Sequence, residues 1–491
     1  MRHPPHSALL MACAVSAATL IPLAGTAPAS AATPACTVEY SVTGQWGDGF
    51  QGAVKVTNNG AAKDSWSLSF GFADGQKVTQ GWSAKWSQSG TTVTASNEAW
   101  NGALATGASV SAGFVGSWSG ANTVPTAFKL NGTTCNTDTT DPTDPTDPTG
   151  PGDGAAPALK VSGNKLVDAS GATRRILGVN RSGAEFMCVQ GHGIFDGPVD
   201  DAAIRAIADW KANAVRIPLN EECWLGLDNI KPEYGGAYYR SAVQQLVDRV
   251  TAHGMTPVLE MHWSYGQYTG NSAGCSDVHA SCQKPMPDAK YAPSFWSSVA
   301  DTFKARPEVA FDLFNEPYPD RATSSMSDAW ACWRDGGTCP GIGYEVAGMQ
   351  DLVDAVRAAG APNLILAGGL AYSNDLRQWL AHKPSDPAGN LAAAWHVYNF
   401  NTCSSEACWD EQLAPVAAQV PLVAGEIGEN TCSHAFIDRV MKWFDDRKLS
   451  YLGWTWNTWD CSSGPSLIRD YDGTPTNFGV GLRDHLKTLG N

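Results

Sequence analysis

Residues 312–318 read Asp312-Leu-Phe-Asn-Glu-Pro-Tyr318, led in by Val309-Ala-Phe311. The apolar run predicts a buried strand, and Pro317, which lacks a backbone donor, predicts where it stops. The strand then delivers Asn315 and Glu316 at its C-terminal tip. In a chain of alternating strands and helices, that edge is where ligands bind. A carboxylic acid beside an amide at such a tip is a candidate proton donor.

Working outward, residues 158–491 repeat the same pattern. Strand-like runs occur at Arg175-Ile-Leu-Gly-Val179, Ala214-Val-Arg-Ile-Pro-Leu219, Thr256-Pro-Val-Leu-Glu-Met-His-Trp263 and Val309 to Phe314. Four more follow at Asn363 to Ala367, Ala393 to Tyr398, Pro421 to Glu426 and Tyr451 to Trp456. Amphipathic stretches separate most of them: Asp200 to Trp210, Tyr239 to His253, Phe295 to Lys304, Tyr344 to Ala359 and Ala435 to Asp446. Eight strands alternating with helices predict a (β/α)8 TIM barrel. A doubly wound open sheet is the alternative. No Gly-x-Gly-x-x-Gly follows any strand, which argues against a dinucleotide domain.

Polar residues recur at the same end of these apolar runs: Arg216, Glu260, His262, Asn315, Glu316, His396, Tyr398, Glu426 and Trp454. Unpaired in a core they would cost several kcal/mol each, so a shared functional rim is the simpler reading. Strands four and seven lie on roughly opposite sides of an eight-stranded barrel. Glu316 and Glu426 can therefore flank one bond, as glycoside hydrolysis requires of a proton donor and a nucleophile or base. Arg216 beside Glu426 would keep that carboxylate ionised, and a less compensated Glu316 would hold its proton. Asn315 is placed to bond a sugar 2-hydroxyl, and Trp454 to floor the reacting subsite. The acidic loops Asn220-Glu-Glu-Cys-Trp224 and Gly428-Glu-Asn430 read either as solvated charge or as a subsite for an amino-sugar polymer. Trp224 and Trp263 are further candidate platforms.

Upstream the pattern changes. Short alternating runs between Cys36 and Cys135, with Asn-Asn-Gly and Asp-Gly turns, predict a β-sandwich over 32–135. Trp46, Trp82 and Trp100 each sit beside a turn or polar segment, whereas Trp66 lies inside an alternating run and belongs to the core. Trp86 and Trp118 fit either place. Residues 136–157, with their Asp-Pro-Thr repeats, have nothing apolar to bury and predict an extended linker. At the N-terminus, Arg2, the apolar stretch Ala8 to Ala24 and Ala29-Ser-Ala31 read as a secretory signal over 1–31.

Export implies an oxidising compartment. Of 13 cysteines only Cys13 falls in the leader. Cys275 and Cys282, Cys332 and Cys339, and Cys403 and Cys408 are close enough to clip loops, and Cys36 and Cys135 bracket the sandwich. Cys188, Cys223, Cys432 and Cys461 could form two longer links, with connectivity open. With no Cys-x-x-Cys and no His-Glu-x-x-His, a zinc site is weakly signalled. The net charge of −15 argues against nucleic acid, and no stretch after the leader is apolar enough to span a membrane. The 19 tryptophans suit sugar binding, where flat rings stack on pyranose faces. Nothing suggests more than a monomer.

Two resemblances carry this further. Cys36, Gly44-Gln-Trp-Gly-x-Gly-Phe50, Val78-Thr-Gln-Gly-Trp82, Trp100-Asn-Gly102 and Cys135 resemble carbohydrate-binding module family 2. The resemblance implies a flat strip of Trp46, Trp82 and Trp100 on crystalline polysaccharide. Val215-Arg-Ile-Pro218, Leu259-Glu-Met-His262, Phe314-Asn-Glu-Pro317, His396-Val-Tyr398, Gly425-Glu426 and Trp454-Thr-Trp456 resemble glycoside hydrolase family 5. That resemblance implies Glu316 as acid/base and Glu426 as nucleophile of a retaining enzyme. Arg216 and Tyr398 would position the nucleophile; Asn315, His262 and His396 would contact the reacting sugar. No metal or organic cofactor is implied. Glu260 departs from the Asp of many relatives. The expectation is a secreted, extracellular endo-β-1,4-glucanase. β-Mannanase and chitosanase are the alternatives on the same carboxylates, and an inactive polysaccharide-binding protein is a third.

Overall fold

The computed structural model describes residues 35–46, 49–118, 122–125, 127–138, 156–265, 284–323, 325–462 and 464–489. The expected leader, residues 139–155 of the expected linker, and Cys275 with Cys282 lie outside the described residues. The chain divides into two compact units, Met1–Pro145 and Thr146–Asn491.

The first unit is all β. Its strands are β1 (Cys36–Trp46), β2 (Gly49–Asn58), β3 (Ser67–Gly71), β4 (Lys77–Trp82), β5 (Lys85–Ser89), β6 (Thr92–Ser96), β7 (Ser109–Ser117), β8 (Phe128–Leu130) and β9 (Thr133–Asp138). They pair in the order β4-β7-β2-β1-β9-β8-β3-β6-β5. Period-two alternation sends Val38, Tyr40, Phe50, Val54, Phe70, Val93, Phe114 and Phe128 into one core, together with Trp66. The Cys36–Cys135 disulfide ties β1 to β9. Trp86 and Trp118 are only partly buried and pack against this core. Trp100 is 74 % exposed. Trp82 lies across β7 at Gly113, where a β-carbon would sit 2.2 Å from the indole. The side chain of Trp46 lies outside the described residues.

The second unit is a closed barrel of eight parallel strands. They are β10 (Leu177–Asn180), β11 (Ala214–Asn220), β12 (Thr256–Trp263), β13 (Ala310–Asp312), β14 (Ile365–Gly368), β15 (Leu391–Tyr398), β16 (Leu422–Gly428) and β17 (Ser450–Gly453). Helices cover the outside. Asp200 caps the helix Asp201–Asp209 by accepting the Ala203 N–H at 3.0 Å, and Thr476 caps Asn477–Thr488 in the same way. Disulfides join Cys188 to Cys223, Cys332 to Cys339, Cys403 to Cys408 and Cys432 to Cys461. Among the described residues no helix is long and apolar enough to cross a membrane.

The strand period places the site. Ala214, Val258, Ala310, Leu366, Ala394, Val423 and Leu452 form one apolar cluster, a residue from each of seven barrel strands. Two residues further along the same strands, on the same face, stand Arg216, Glu260, Asp312 and His396. Asn180 on β10 pairs in register with Arg216 on β11. An apolar floor thus carries a polar layer directly above it.

Two expectations are corrected. The fourth strand ends at Asp312, so Asn315 and Glu316 sit on the extended segment after it. That segment still joins both neighbours: Leu313 N–H donates to Leu366 O and Asn315 N–H to Met261 O, each at 3.0 Å. Trp224 is not a platform. It is fully buried against Phe295, Phe303 and Tyr239, and its indole N–H donates to Ser298.

Candidate active site

Arg216 is the centre of the polar layer. It is fully buried, and its planar head donates in three directions. Nε donates to Asp312 Oδ2 at 2.9 Å, and Nη1 to both Asn180 Oδ1 and Glu426 Oε1 at 2.9 Å. Nη2 donates to Asn315 Oδ1 at 3.0 Å and lies 3.5 Å from Glu260 Oε2. Burial works against the guanidinium charge, but Glu260, Asp312 and Glu426 around it outweigh burial and keep it protonated.

These bonds orient their partners. Arg216 can only donate, so Asn315 turns its oxygen toward Arg216 and its Nδ2 toward His262 Nε2, at 3.4 Å. His262 Nδ1 pairs with Glu260 Oε2 at 2.9 Å. Burial lowers the His262 pKa to about 4, so the ring is neutral. A neutral ring donates from Nδ1 to Glu260 and leaves Nε2 to accept from Asn315. Trp454 stacks on this histidine, ring centres 5.4 Å apart at 12°.

The two carboxyls face each other across His396. On adjacent strands His396 and Glu426 pair in register, just past an irregularity at Gly425. A β-carbon at Gly425 would lie 2.8 Å from His396 Nε2, so only glycine fits beneath the imidazole. His396 Nδ1 is 3.1 Å from Glu316 Oε1 and 3.7 Å from Glu426 Oε2. Tyr398 O–H donates to Glu426 Oε2 at 2.5 Å. One oxygen each of Glu316 and Glu426 and one His396 nitrogen lie within 4.8 Å of one another. Both Glu426 oxygens of this trio are already engaged by Arg216 and Tyr398.

The carboxyls differ in surroundings. Burial raises the Glu426 pKa, and Arg216 and the Tyr398 hydrogen bond pull it back. Burial, then the nearby negative Glu426, hold Glu316 well above the usual carboxylate range. Its histidine neighbour cannot compensate, because burial pushes His396 well below its usual value and leaves it neutral. The side chain of Glu316 is 22 % exposed against 4 % for Glu426. Glu316 is thus held further toward the protonated form and opens to the cleft, while Glu426, also raised by burial, has Arg216 and Tyr398 to favour its anion. The cleft above them holds about 730 Å³ and is lined by both carboxyls, Asn315, His262, Tyr398 and Trp454.

All eight barrel residues predicted for the site thus fall in one cluster. Glu260, read from the sequence as a rim residue without a catalytic role, joins it, and Asn180 and Asp312, which were not among the predicted set, complete it. Their signal was positional: Glu260 and Asp312 each lie two residues beyond a floor position on their strands, and Asn180 pairs in register with Arg216. The acids of the two loops do not join it, although Asn430 lines the cleft. Glu221 and Glu222 are fully buried, so they are neither solvated nor subsite walls. Glu429 is buried too, and its Oε2 accepts the N–H groups of Phe436 and Ile437 at the start of the helix Ala435–Asp446. Trp263 is half-buried and packs near Phe186, which also meets Trp459.

A family model described as cellulase (glycosyl hydrolase family 5) matches residues 177–460. The chain belongs to glycoside hydrolase family 5. A second model, described as cellulose binding domain, matches residues 36–135, so a cellulose-binding module precedes the family 5 barrel. Endoglucanase CelA of Streptomyces lividans is 31 % identical over 481 residues, spanning 94 % of this chain and 91 % of that protein. Exoglucanase A of Cellulomonas fimi is 61 % identical over 107 residues, which is 22 % of this chain and 12 % of that protein. The crystal structure of a β-glucanase from Saccharophagus degradans aligns at a TM-score of 0.53 with 18 % identity, covering 70 % of this chain and 99 % of that one. That likeness bears on the fold. Family membership makes the barrel an O-glycosyl hydrolase of the cellulase family.

Proposed function

We propose that this protein is a secreted endo-β-1,4-glucanase that cleaves cellulose with retention of anomeric configuration, acting as a monomer. The observation that carries the retaining reading is the short gap between the carboxyls, with one oxygen of each within 4.8 Å. Retaining enzymes hold the pair about 5–5.5 Å apart, whereas inverting ones need about 6.5–9.5 Å to admit a water between them. Glu316 donates its proton to the leaving oxygen as Glu426 attacks the anomeric carbon. Glu316, now a carboxylate, then takes a proton from the water that releases the glycosyl ester.

The supporting residues follow from their bonds. Arg216 and Tyr398 hold Glu426 ionised and aimed. Asn315, fixed by Arg216 and His262, points an amide donor at the sugar 2-hydroxyl. Trp454 supplies an apolar floor. Trp82 and Trp100, with Trp46, form the polymer-binding strip of the module. The substrate reading draws on the endoglucanase name of the relative spanning 94 % of the chain.

Release of reducing ends from carboxymethylcellulose, glucomannan and chitosan, measured in parallel, tests this. The reading expects the cellulose derivative to be cut fastest. No activity on it overturns the substrate assignment in favour of a mannanase or chitosanase.

A further inference from the structure

Trp82 and Trp100 hang from different parts of the β-sandwich. Trp82 is the last residue of β4, which pairs with β7. Trp100 lies on the turn after β6, which pairs with β3 and β5. β4 and β6 stand at nearly opposite ends of the pairing order, so their ladder bonds leave the distance between the two rings open. A flat polymer face rewards a fixed distance, because rings that must first be brought into line lose affinity to that ordering.

One side chain closes the gap. Asn101 Nδ2 donates to the Ser83 carbonyl at 2.8 Å, so the residue after Trp100 is tied to the residue after Trp82. Asn101 Oδ1 accepts the Glu98 N–H at 2.7 Å, and its backbone carbonyl accepts the buried Trp66 indole N–H at 2.8 Å. An amide carries both the donor and the acceptor that the two side-chain bonds need. Each end of the tie is anchored. Asn97 Oδ1 accepts the Trp66 N–H at 3.1 Å, and Asn97 Nδ2 donates to Glu98 O at 2.9 Å, which fixes the turn to the core. A β-carbon on Gly102 would lie 2.9 Å from that Asn97 nitrogen and 3.0 Å from Asp64 O. On the other side Ser83 holds a φ of 60°, and the Trp82 carbonyl accepts the Trp86 indole N–H at 3.4 Å. A left-handed residue with a β-carbon persists where its surroundings impose it.

We propose that Asn101 is the positioning residue of the polymer-binding face, its amide setting the spacing of Trp100 against Trp82 to suit the surface of an insoluble β-1,4-glucan. This rests on reading Trp82 and Trp100 as rings that stack on the polymer. Trp100 is 74 % exposed, so its orientation comes from its backbone, which is held on either side through Glu98 and Asn101. Rings held at a fixed spacing bind one polymer together rather than one at a time.

An aspartate at 101 separates the two jobs of the side chain. It still accepts from the Glu98 N–H, but its second oxygen has no proton to give and meets the Ser83 carbonyl lone pairs. Once protonated, the acid O–H donates to Ser83 again. The test measures binding isotherms of the full chain on microcrystalline cellulose for Asn101→Asp, Asn101→Gln and Trp100→Ala. Each is taken as a ratio to the wild type at pH 7 and at about pH 3, below the ordinary aspartate value of about 3.9. The ratio cancels the titration of Glu98 and Asp64, which the wild type shares. Asn101→Asp should bind about tenfold more weakly at pH 7, the worth of one ring contact, and regain most of that at pH 3. Asn101→Gln carries both groups one bond further out and should bind more weakly at both pH values. Trp100→Ala should lose about tenfold or more; unchanged binding there overturns the strip reading itself. If Trp100→Ala weakens binding while both Asn101 variants bind like the wild type, the positioning role is overturned. A loss in Asn101→Asp that persists at pH 3 also overturns it, since that marks a damaged turn rather than a broken tie. Should the aspartate abolish the thermal transition of the module, Asn101→Gln decides alone.

Discussion

Arg216 and Glu426 come from strands that do not pair with each other, yet the guanidinium Nη1 meets Glu426 Oε1 at 2.9 Å inside the barrel. The same guanidinium also holds Asp312, Asn180 and Asn315. It supplies the positive charge that lets a buried Glu426 ionise. Arg216→Lys keeps a charge but loses the fork, and should lower kcat/KM by about 10²–10³-fold, the order seen when a preorganised donor is removed. Steady-state kinetics on a soluble glucan checks this. A loss below about twofold would remove Arg216 from the site.

The Tyr398–Glu426 bond has a pH signature. On the acid side activity should fall as Glu426 takes up a proton, and on the alkaline side as Glu316 gives its proton up. Tyr398 donates to the Glu426 anion and so lowers its pKa. Tyr398→Phe removes that donor, the Glu426 pKa rises, and the acid limb of kcat/KM should move to higher pH. A hydrogen bond to a charged group is worth about 1.5–3 kcal/mol, which corresponds to about 1–2 pH units. An acid limb that stays in place or moves lower contradicts the role.

Glu260 joins two parts of the site through the length of its side chain. Its Oε2 reaches His262 Nδ1 at 2.9 Å and Arg216 Nη2 at 3.5 Å together. Glu260→Asp withdraws the carboxyl by about 1.5 Å, one bond length, and cannot keep both contacts. Activity should fall by about tenfold or more as His262 and Asn315 lose their fixed orientation. Full activity in the aspartate variant would show the length to be incidental.

Trp224 tests the correction to the sequence reading. Truncating a buried tryptophan costs about 3–5 kcal/mol. Trp224→Ala should therefore lower Tm sharply, whereas a platform residue would raise KM with Tm unchanged. Thermal unfolding beside steady-state kinetics separates the two.

Much of this was legible in the chain because strand ends are marked twice. The apolar runs fix where the floor lies, and the polar residue two positions later names the rim, as with Ala214 and Arg216 or Ala394 and His396. Glu316 was legible through Pro317, although the strand itself stops at Asp312 and the last residues are held by single bonds to both neighbours. The acidic loops were not legible. Burial of Glu221 and Glu222 depends on what packs over them, and Glu429 gains its purpose from a helix start seven residues on. Asp312 was quoted as part of a strand, but its pairing with Arg216 spans 96 residues and exists only once the barrel closes. The turn at 370–373 carries no glycine or proline at its left-handed positions, so nothing local announced it.

The central claim is that Glu426 attacks the sugar while Glu316 handles the proton. Reaction with 2,4-dinitrophenyl 2-deoxy-2-fluoro-β-cellobioside, followed by proteolysis and mass spectrometry, tests it most directly. One added fluorocellobiosyl group is expected, carried by the peptide containing Glu426 and absent from Glu426→Gln. A label on any other residue, or turnover of natural substrate to the inverted anomer with no label formed, would contradict it.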